Sequence, residues 1–180
     1  NRTTKMNAEN FNAFRSSNYP ILAEAGIHIR FHRIHIHQYE EDRQLKVHTW
    51  LNSNIAVLKL FPGIQENVMA ATLAIDGLKA LVLETYGSGN APSKPWFIRC
   101  LSEACAKGIV IVNVTQCNAG TVEMERYNTG YQLLQAGVVS GYDSTTESAV
   151  TKLMFLIGHG YSPEEIRERM NHSLAGEITV

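Results

Sequence analysis

Five of the seven histidines lie in the first 48 residues, so a metal site has to be considered there. They are His28, His32, His35, His37 and His48. His35 and His37 are two apart, and a strand would place both imidazoles on one face, where they could bind a metal ion. However, an alternating strand turns its polar side chains towards water, and Arg30 and Arg33 would repel a cation. We therefore predict no metal site in this segment.

A glycine-containing segment, Tyr-Gly-Ser-Gly-Asn-Ala-Pro at residues 86–92, follows a predicted strand and precedes a predicted helix. Its glycines would let backbone N–H groups approach a small anionic ligand at the helix N-terminus. Ligands also tend to bind beyond the carboxyl ends of parallel strands. Because many strand-to-helix turns use two glycines only to reverse the chain, ligand contact and a simple turn both stay open.

Residues 113–117, Asn-Val-Thr-Gln-Cys, end the next predicted strand at the same edge of the sheet. They present amide, hydroxyl and thiol groups together, which strengthens the expectation of a site at this edge. Cys117 is a nucleophile by type, but no histidine lies in its loop, and a reactive thiol needs a base or a strong positive field. We therefore expect Cys117 to pack or to contact a ligand.

The elements that must position these loops begin near residue 55. From there, short runs rich in β-branched residues alternate with helix-like segments of about 10–15 residues, the pattern of βαβ units and a parallel sheet. Residues 55–60, 80–85 and 109–114 are predicted as core strands, apolar nearly throughout because helices cover both faces. The predicted fold class is α/β, with a small parallel sheet of the flavodoxin-like or Rossmann-like kind.

Helices are predicted between and after these strands. Residues 65–75 and 94–107 are the crossover helices, and each is followed closely by a glycine that can end it. A last helix is predicted after Ser162, a capping residue that precedes a proline and two glutamates in the first turn. The remaining predicted elements are a helix at 127–135, a short strand at 138–139 and an amphipathic helix at 145–157.

The first 51 residues have a different character. They start polar, and residues 27–32 then alternate apolar and polar side chains with period two, which indicates a half-exposed strand in a hairpin. We interpret residues 1–51 as the end of a preceding domain with a linker and hairpin, and residues 52–180 as the α/β domain. Because Asn1 is not a natural translation start, we expect the chain to begin within a longer protein.

Composition excludes several classes of protein. With 44% hydrophobic and 18% charged residues, the chain is expected to be a soluble globular protein. Its 16 basic and 17 acidic residues leave a net charge of -1 without basic clusters, so nucleic acid is not an expected partner. No apolar run approaches the roughly 18 residues of a membrane span. Three cysteines without CxxC spacing predict free thiols and a reducing cytoplasm rather than disulfides or zinc.

Five segments, in order along the chain, are specific enough to compare with a known family. They are Asn-Arg-Thr-Thr-Lys at 1–5, Glu-Ala-Gly-Ile-His-Ile-Arg at 24–30, residues 86–92, residues 113–117 and Ala-Gly-Val-Val-Ser-Gly at 136–141. In wording and order they resemble bacterial type I (cytoplasmic) asparaginases, and the resemblance extends over nearly the whole chain. It implies a homodimer or homotetramer of two-domain α/β subunits, in which the N-terminal domain carries two catalytic threonines and an aspartate.

Lys5 matches the family's catalytic lysine in the Thr-Thr-Lys segment. A threonine hydroxyl is a poor nucleophile at neutral pH, but a second hydroxyl that relays its proton towards an amine can activate it. The resemblance thus implies hydrolysis of L-asparagine to L-aspartate and ammonia through a threonine acyl-enzyme, without a cofactor. Because the chain starts after the matching threonines, it is predicted to be inactive by itself.

Some type I enzymes also bind a second asparagine in an effector pocket built partly from the C-terminal domain. Glu84 stands where regulated members have an arginine that would pair with the effector's α-carboxylate, and a carboxylate there would repel it. Lys152 and Arg126 are the cations considered as compensation. The residues that match positions lining this pocket are Thr4, Asn90, Thr115 and Cys117.

Two other functions stay open. The first is an asparaginase-like amidotransferase subunit that delivers ammonia to a tRNA-linked substrate, although no basic surface is evident in the sequence. The second is a non-catalytic Rossmann-like binding or assembly module, which the absence of the threonine motifs upstream would favour.

Overall fold

A computed structural model describes residues 2–38, 44–126 and 128–179. Within these ranges the chain forms a four-stranded parallel sheet with helices on both faces, preceded by two small antiparallel hairpins. The first hairpin pairs β1 (Thr4–Lys5) with β2 (Phe14–Arg15), and the second pairs β3 (Ala23–Ala25) with β4 (Ile29–Phe31). The predicted α/β class with a parallel sheet is confirmed.

The sheet contains the three predicted strands and a short fourth one. They are β5 (Ile55–Lys59), β6 (Ala80–Thr85), β7 (Val110–Thr115) and β8 (Val139–Ser140), in the spatial order β5-β6-β7-β8. All neighbours are parallel, so every strand ends at the same edge. The third strand starts one residue later than predicted, because Ile109 still belongs to the turn that follows the second crossover helix.

In the part of the chain that the structure describes, five α-helices flank the sheet. On one face lie α1 (Glu66–Leu73), α2 (Pro95–Ala106) and α3 (Asn128–Gln135), and on the other lie α4 (Thr146–Gly158) and α5 (Pro163–Met170). Ser162 caps α5 in a reciprocal capping box with Glu165, as its sequence pattern predicts. Tyr127, the predicted start of the third helix, lies outside the described residues.

Two buried clusters form the core, one on each face of the sheet. Leu81, Leu83 and Ile111 pack with Phe97 of α2 on the first face. Val82, Val112 and Val114 pack with Leu153 of α4 on the second. Strands β6 and β7 are therefore almost fully buried, as predicted for central parallel strands.

Three expectations about side-chain environment are wrong. Strand β5 is only partly buried, with Val57 48% exposed, because it lies at the edge of the sheet with a strand on one side only. Strand β4 is exposed on both faces instead of half-exposed. His35 lies in a 3-10 helix, Arg33–His35, so it does not share a strand face with His37. No helix in the described ranges is long and apolar enough to cross a membrane.

Candidate functional site

The loop after β6 folds back on itself directly beyond the sheet. Tyr86 and Asn90 exchange two backbone hydrogen bonds, of 2.9 and 2.8 Å between N and O. Gly89 has a φ of +110°, and a Cβ there would come within 2.9 Å of Val122 Cγ1. The second glycine of the segment is therefore needed both for its backbone conformation and for close packing.

Thr115 joins this loop to the one that follows β7. Its hydroxyl donates a 2.5 Å hydrogen bond to the carbonyl oxygen of Gly87, and it accepts one of 3.0 Å from the backbone N–H of Cys117. The side chain of Gln116 donates to the carbonyl oxygens of Leu60 and Glu84, at 2.6 and 2.8 Å. The two predicted loops thus meet at one edge of the sheet, as expected from the parallel strand order.

Asn90 also faces this edge. Its side-chain carbonyl accepts a 3.0 Å hydrogen bond from the hydroxyl of Thr129 in α3, and the residue is half-buried. Cys117 is exposed, with a free thiol. Asn90, Thr115 and Cys117 therefore line one continuous strip of loop that presents amide, hydroxyl and thiol groups.

Thr4 and Glu84 lie near the start of α4 instead. The hydroxyl of Thr4 donates a 2.6 Å hydrogen bond to the carboxylate of Glu147, and the hydroxyl of Thr146 donates one of 2.6 Å to the carboxylate of Glu84. Glu147 and Thr146 are adjacent in the first turn of the helix. Within the described residues, no hydrogen bond or ion pair joins Thr4 to Asn90, Thr115 or Cys117.

The cation that faces Glu84 is not one of the two considered from the sequence. Lys59 Nζ lies 3.8 Å from Glu84 Oε2, and the lysine side chain is 64% exposed. Lys152 instead forms a 2.7 Å ion pair with Glu177, and Arg126 pairs with Glu123 at 3.2 Å. The ion pair described for Glu84 is therefore with Lys59, and compensation by Lys152 or Arg126, which the sequence left open, is not among the described contacts.

Lys5 stands on the exposed side of the first hairpin. It is paired with Phe14 across the ribbon, and its ammonium nitrogen lies 5.9 Å from the centre of the Phe14 ring. The side chain is exposed to solvent and so is accessible to a substrate or a partner. Among the residues that the structure describes, no hydrogen bond or ion pair joins Lys5 to Asn90 or Thr115.

The histidines form no metal site in the part of the chain that the structure describes. No group of three or more His, Cys, Asp or Glu side chains there is arranged to hold a metal ion. His48 Nδ1 and His159 Nε2 lie 3.0 Å apart, an arrangement that a hydrogen bond between the two imidazoles explains.

With this geometry established, comparison with known proteins identifies the family. A sequence model of the Glutaminase/Asparaginase C-terminal domain family matches residues 54–170. The chain belongs to this family. L-asparaginase 1 of Escherichia coli K12 is 44% identical over 179 residues, which is 99% of this chain and 52% of that protein.

A solved structure and a second relative extend the comparison. The crystal structure of L-asparaginase I from Vibrio cholerae O1 matches with a TM-score of 0.91 and 39% identity, covering 100% of this chain and 53% of that one. A component of the glutamyl-tRNA(Gln) amidotransferase of Methanobrevibacter smithii is 33% identical over 98% of this chain and 40% of its own length. The chain thus spans about half the length of the asparaginases that it matches.

The C-terminal segment of this asparaginase-family domain carries a buried ion pair that the sequence reasoning missed. Lys152 Nζ and Glu177 Oε1 are 2.7 Å apart, with side chains 4% and 6% exposed. Burial raises the pKa of the Glu177 carboxyl, but hydrogen bonds from Lys152 and from the N–H groups of Leu174 and Ala175 outweigh it and lower the pKa to about 2. Burial likewise lowers the pKa of the Lys152 ammonium. The pair fastens the end of the chain to α4.

Two of the cysteines are unsuited to nucleophilic chemistry. Burial raises the pKa of the Cys105 thiol, and burial together with the nearby Glu66 carboxylate raises that of Cys100. A raised pKa lowers the thiolate fraction at neutral pH. This arrangement fits structural thiols at these two positions.

Proposed function

We propose that this chain is the C-terminal part of an L-asparaginase subunit that hydrolyses L-asparagine to L-aspartate and ammonia. The observation that carries the proposal is the 44% identity to E. coli L-asparaginase 1 over 99% of the chain. The parallel sheet, with its two loops joined through Thr115 and Gly87, provides the edge at which α/β proteins of this kind bind ligands.

The nucleophile in this proposal is a threonine outside the 180 residues. Its hydroxyl oxygen attacks the side-chain amide carbon of asparagine, while a second hydroxyl relays the proton to the amine of Lys5. The amide C–N bond breaks, and ammonia leaves with a proton. Water then attacks the resulting ester, which releases aspartate and restores the threonine hydroxyl. Every step is acid–base or nucleophilic chemistry, so no cofactor is required.

The first 51 residues support the proposal that a further domain covers this part of the chain. Many large apolar side chains there are exposed, among them Phe11, Ile27 and Ile34, the last at 89%. Large apolar side chains exposed in this number within one segment are typical of a surface that another domain covers. We assign residues 1–51 to the end of the N-terminal domain with its linker and hairpin, and residues 52–180 to the C-terminal domain.

The family assignment also supports a proposal for the assembly and the location. We propose a cytoplasmic homodimer or homotetramer in which C-terminal domains help to complete neighbouring active sites. Light scattering of the full-length protein should give two or four times the subunit mass, and a monomeric mass would contradict this assembly.

An effector pocket would use the residues that match the lining positions, Thr4, Asn90, Thr115 and Cys117. Glu84, near the end of β6, has a mostly buried side chain that accepts a hydrogen bond from Thr146 at the start of α4. Lys59 is too exposed, and at 3.8 Å too distant, to neutralise it well. We therefore propose that the pocket does not accept the α-carboxylate of a second asparagine.

Ammonia release tests the proposed function directly. The full-length subunit should convert asparagine to aspartate and ammonia in equal amounts, whereas the isolated chain should release neither, because it lacks the nucleophile. Absence of asparagine-dependent ammonia release from the full-length protein would overturn the proposal. Ammonia transfer only in the presence of a charged tRNA would favour the amidotransferase function of the more distant relative.

A further inference from the structure

Arg2 is a buried residue in a part of the chain where most residues are exposed. Its side chain is 6% exposed, and its Nη1 lies 2.7 Å from a carboxylate oxygen of Asp143. Its Nε donates a 2.7 Å hydrogen bond to the carbonyl oxygen of Gly176, and Nη1 also contacts the hydroxyl of Thr179. The guanidinium group therefore joins the start of the chain to the loop before α4 and to the C-terminal segment.

Asp143, the partner of Arg2, also accepts hydrogen bonds from other parts of the chain. Its carboxylate accepts hydrogen bonds of 2.8 Å from both the backbone N–H and the hydroxyl of Thr179. Its backbone carbonyl accepts one of 2.9 Å from the side chain of Asn18, which also bonds the backbone of Gly120. We call the group formed by Arg2, Asp143, Gly176 and Thr179 the Arg2 latch.

The strength of the latch comes from its burial. An ion pair at the surface contributes little, but removing one partner of a buried pair leaves a charge without compensation. The carboxylate of Asp143 is only 13% exposed and lies opposite the nearly buried guanidinium of Arg2. Opening the latch would therefore be costly, so the start of the chain is held firmly on the α/β domain.

A second contact holds the same segment two residues further on. Thr4 donates a 2.6 Å hydrogen bond to Glu147 of α4, the helix that follows Asp143. Successive side chains of a strand point in opposite directions, so Lys5 points away from the side on which Thr4 is fastened. Lys5 is accordingly exposed, while Arg2 and Thr4 anchor its strand to the α/β domain.

We propose that the Arg2 latch positions Lys5 for the reaction. Arg2 and Asp143 are positioning residues: the α/β domain sets, through them, where the amine of Lys5 is presented to the threonines. This role rests on the proposed asparaginase function. Through the latch, the C-terminal domain would influence turnover by holding β1, a strand that precedes this domain in the sequence.

The proposal predicts that loss of the latch lowers kcat but hardly changes KM for asparagine. A misplacement of about 1 Å in a catalytic group can lower a rate about 10²-fold. Within the described residues, no hydrogen bond or ion pair joins Arg2 or Asp143 to Asn90 or Thr115, so loss of the latch should leave KM almost unchanged. A fall in kcat at constant KM is the pattern expected when an interaction needed in the transition state is lost.

The test uses Arg2→Met and Thr179→Val in the full-length subunit, with Thr179→Ser as the conservative counterpart. Arg2→Met and Thr179→Val should each lower kcat at least tenfold and change KM less than twofold, while Thr179→Ser, which keeps the hydroxyl, should retain most of the wild-type kcat. Hydrogen–deuterium exchange of the backbone amides at residues 2–6 should become at least tenfold faster in the first two variants only.

The matched control is the double variant Lys152→Met with Glu177→Gln. It removes another buried ion pair that fastens the C-terminal segment, but this pair has no bond to β1. The control should leave kcat and the exchange at residues 2–6 within twofold of wild type. An equal loss of kcat in the control would show that loss of any buried ion pair in the C-terminal segment lowers turnover, whether or not the latch is intact, and the proposal would fail.

The two readouts also separate this proposal from the function on which it rests. A wild-type subunit that releases no ammonia from asparagine would overturn the proposed function and with it the role of the latch in turnover, while the exchange data would still decide whether the latch holds the strand. Wild-type activity combined with unchanged kcat in Arg2→Met would overturn the latch proposal alone.

Discussion

The hydroxyl of Thr85 donates a 2.6 Å hydrogen bond to the side-chain carbonyl of Asn113, and both side chains are completely buried. The amide of Asn113 in turn points at the carbonyl oxygen of Gly89, 3.4 Å away. These groups connect the ends of β6 and β7 with the loop between β6 and α2. The position of the loop that follows β6 thus depends on a buried bridge of hydrogen bonds from Thr85 through Asn113 to Gly89.

Breaking this bridge should destabilise the protein. Thr85→Val keeps the volume but leaves the carbonyl of Asn113 without its donor, and an unsatisfied buried acceptor costs about 1–3 kcal/mol. Urea unfolding should show a loss of this size. Thr72→Val is the control, because the hydroxyl of Thr72 bonds a carbonyl at the solvent-exposed side of α1, and it should change stability by less than about 0.5 kcal/mol. Equal effects of the two substitutions would contradict this account.

Loss of the Lys5 amine should nearly abolish turnover in the full-length subunit. Lys5→Met keeps most of the side chain but removes the amine that we propose as the proton acceptor, and a lost acid–base group typically lowers the rate about 10²–10⁴-fold. Initial rates of ammonia release would measure kcat. Lys107→Met is the control, since Lys107 is exposed at the end of α2, near the opposite edge of the sheet, and its loss should leave kcat unchanged. Near wild-type turnover in Lys5→Met would remove Lys5 from the mechanism.

The regular part of the fold was predictable because local signals agreed with the tertiary structure. Buried β-branched runs predicted β6 without error, and Ser162 predicted the start of α5 through its capping pattern. Alternation over residues 27–32 also predicted a strand, but it predicted the wrong exposure. Periodicity reports which side chains share a face and not whether another part of the protein covers that face.

The contacts that organise the site were not predictable in the same way. Arg2 bonds Gly176, 174 positions away, and no short-range pattern marks two residues at that separation as partners. The cation facing Glu84 was also missed, because Lys59 lies on a neighbouring strand and only the strand order brings the two together. The candidate loops themselves were predictable, since parallel strands place their carboxyl ends at one edge.

The buried pair of Lys152 and Glu177 should make stability depend on acid pH. The pKa of Glu177 is lowered from 4.5 to about 2, so its contribution is complete above about pH 4.5 and is lost as the pH falls towards 2. Glu177→Gln should cost about 3–5 kcal/mol at pH 7, because it leaves the Lys152 charge buried and unpaired. The difference from wild type should shrink between pH 4.5 and pH 2 in urea unfolding experiments.

The double variant Lys152→Met with Glu177→Gln separates the charge effect from packing. Replacing both members of a buried ion pair is often neutral, so the double variant should regain most of the stability at pH 7. It should also lose stability less steeply than wild type between pH 4.5 and pH 2. A wild-type acid dependence that persists in the double variant would assign that dependence to other carboxylates.

The last prediction concerns the response of the full-length enzyme to asparagine concentration, and it depends on Glu84. An arginine at this position would attract the α-carboxylate of a second asparagine, whereas a glutamate reverses the sign of the interaction. Thr146 donates a hydrogen bond to this carboxylate, and the nearest cation described, Lys59, is 64% exposed and 3.8 Å away. A pair this exposed contributes about 1 kcal/mol or less, so it compensates little.

Rates measured over a wide range of asparagine concentrations should therefore follow a hyperbola, and Lys59→Met should leave the shape of the curve unchanged. A Hill coefficient clearly above one that disappears in Thr115→Val would show that the pocket binds an effector despite Glu84.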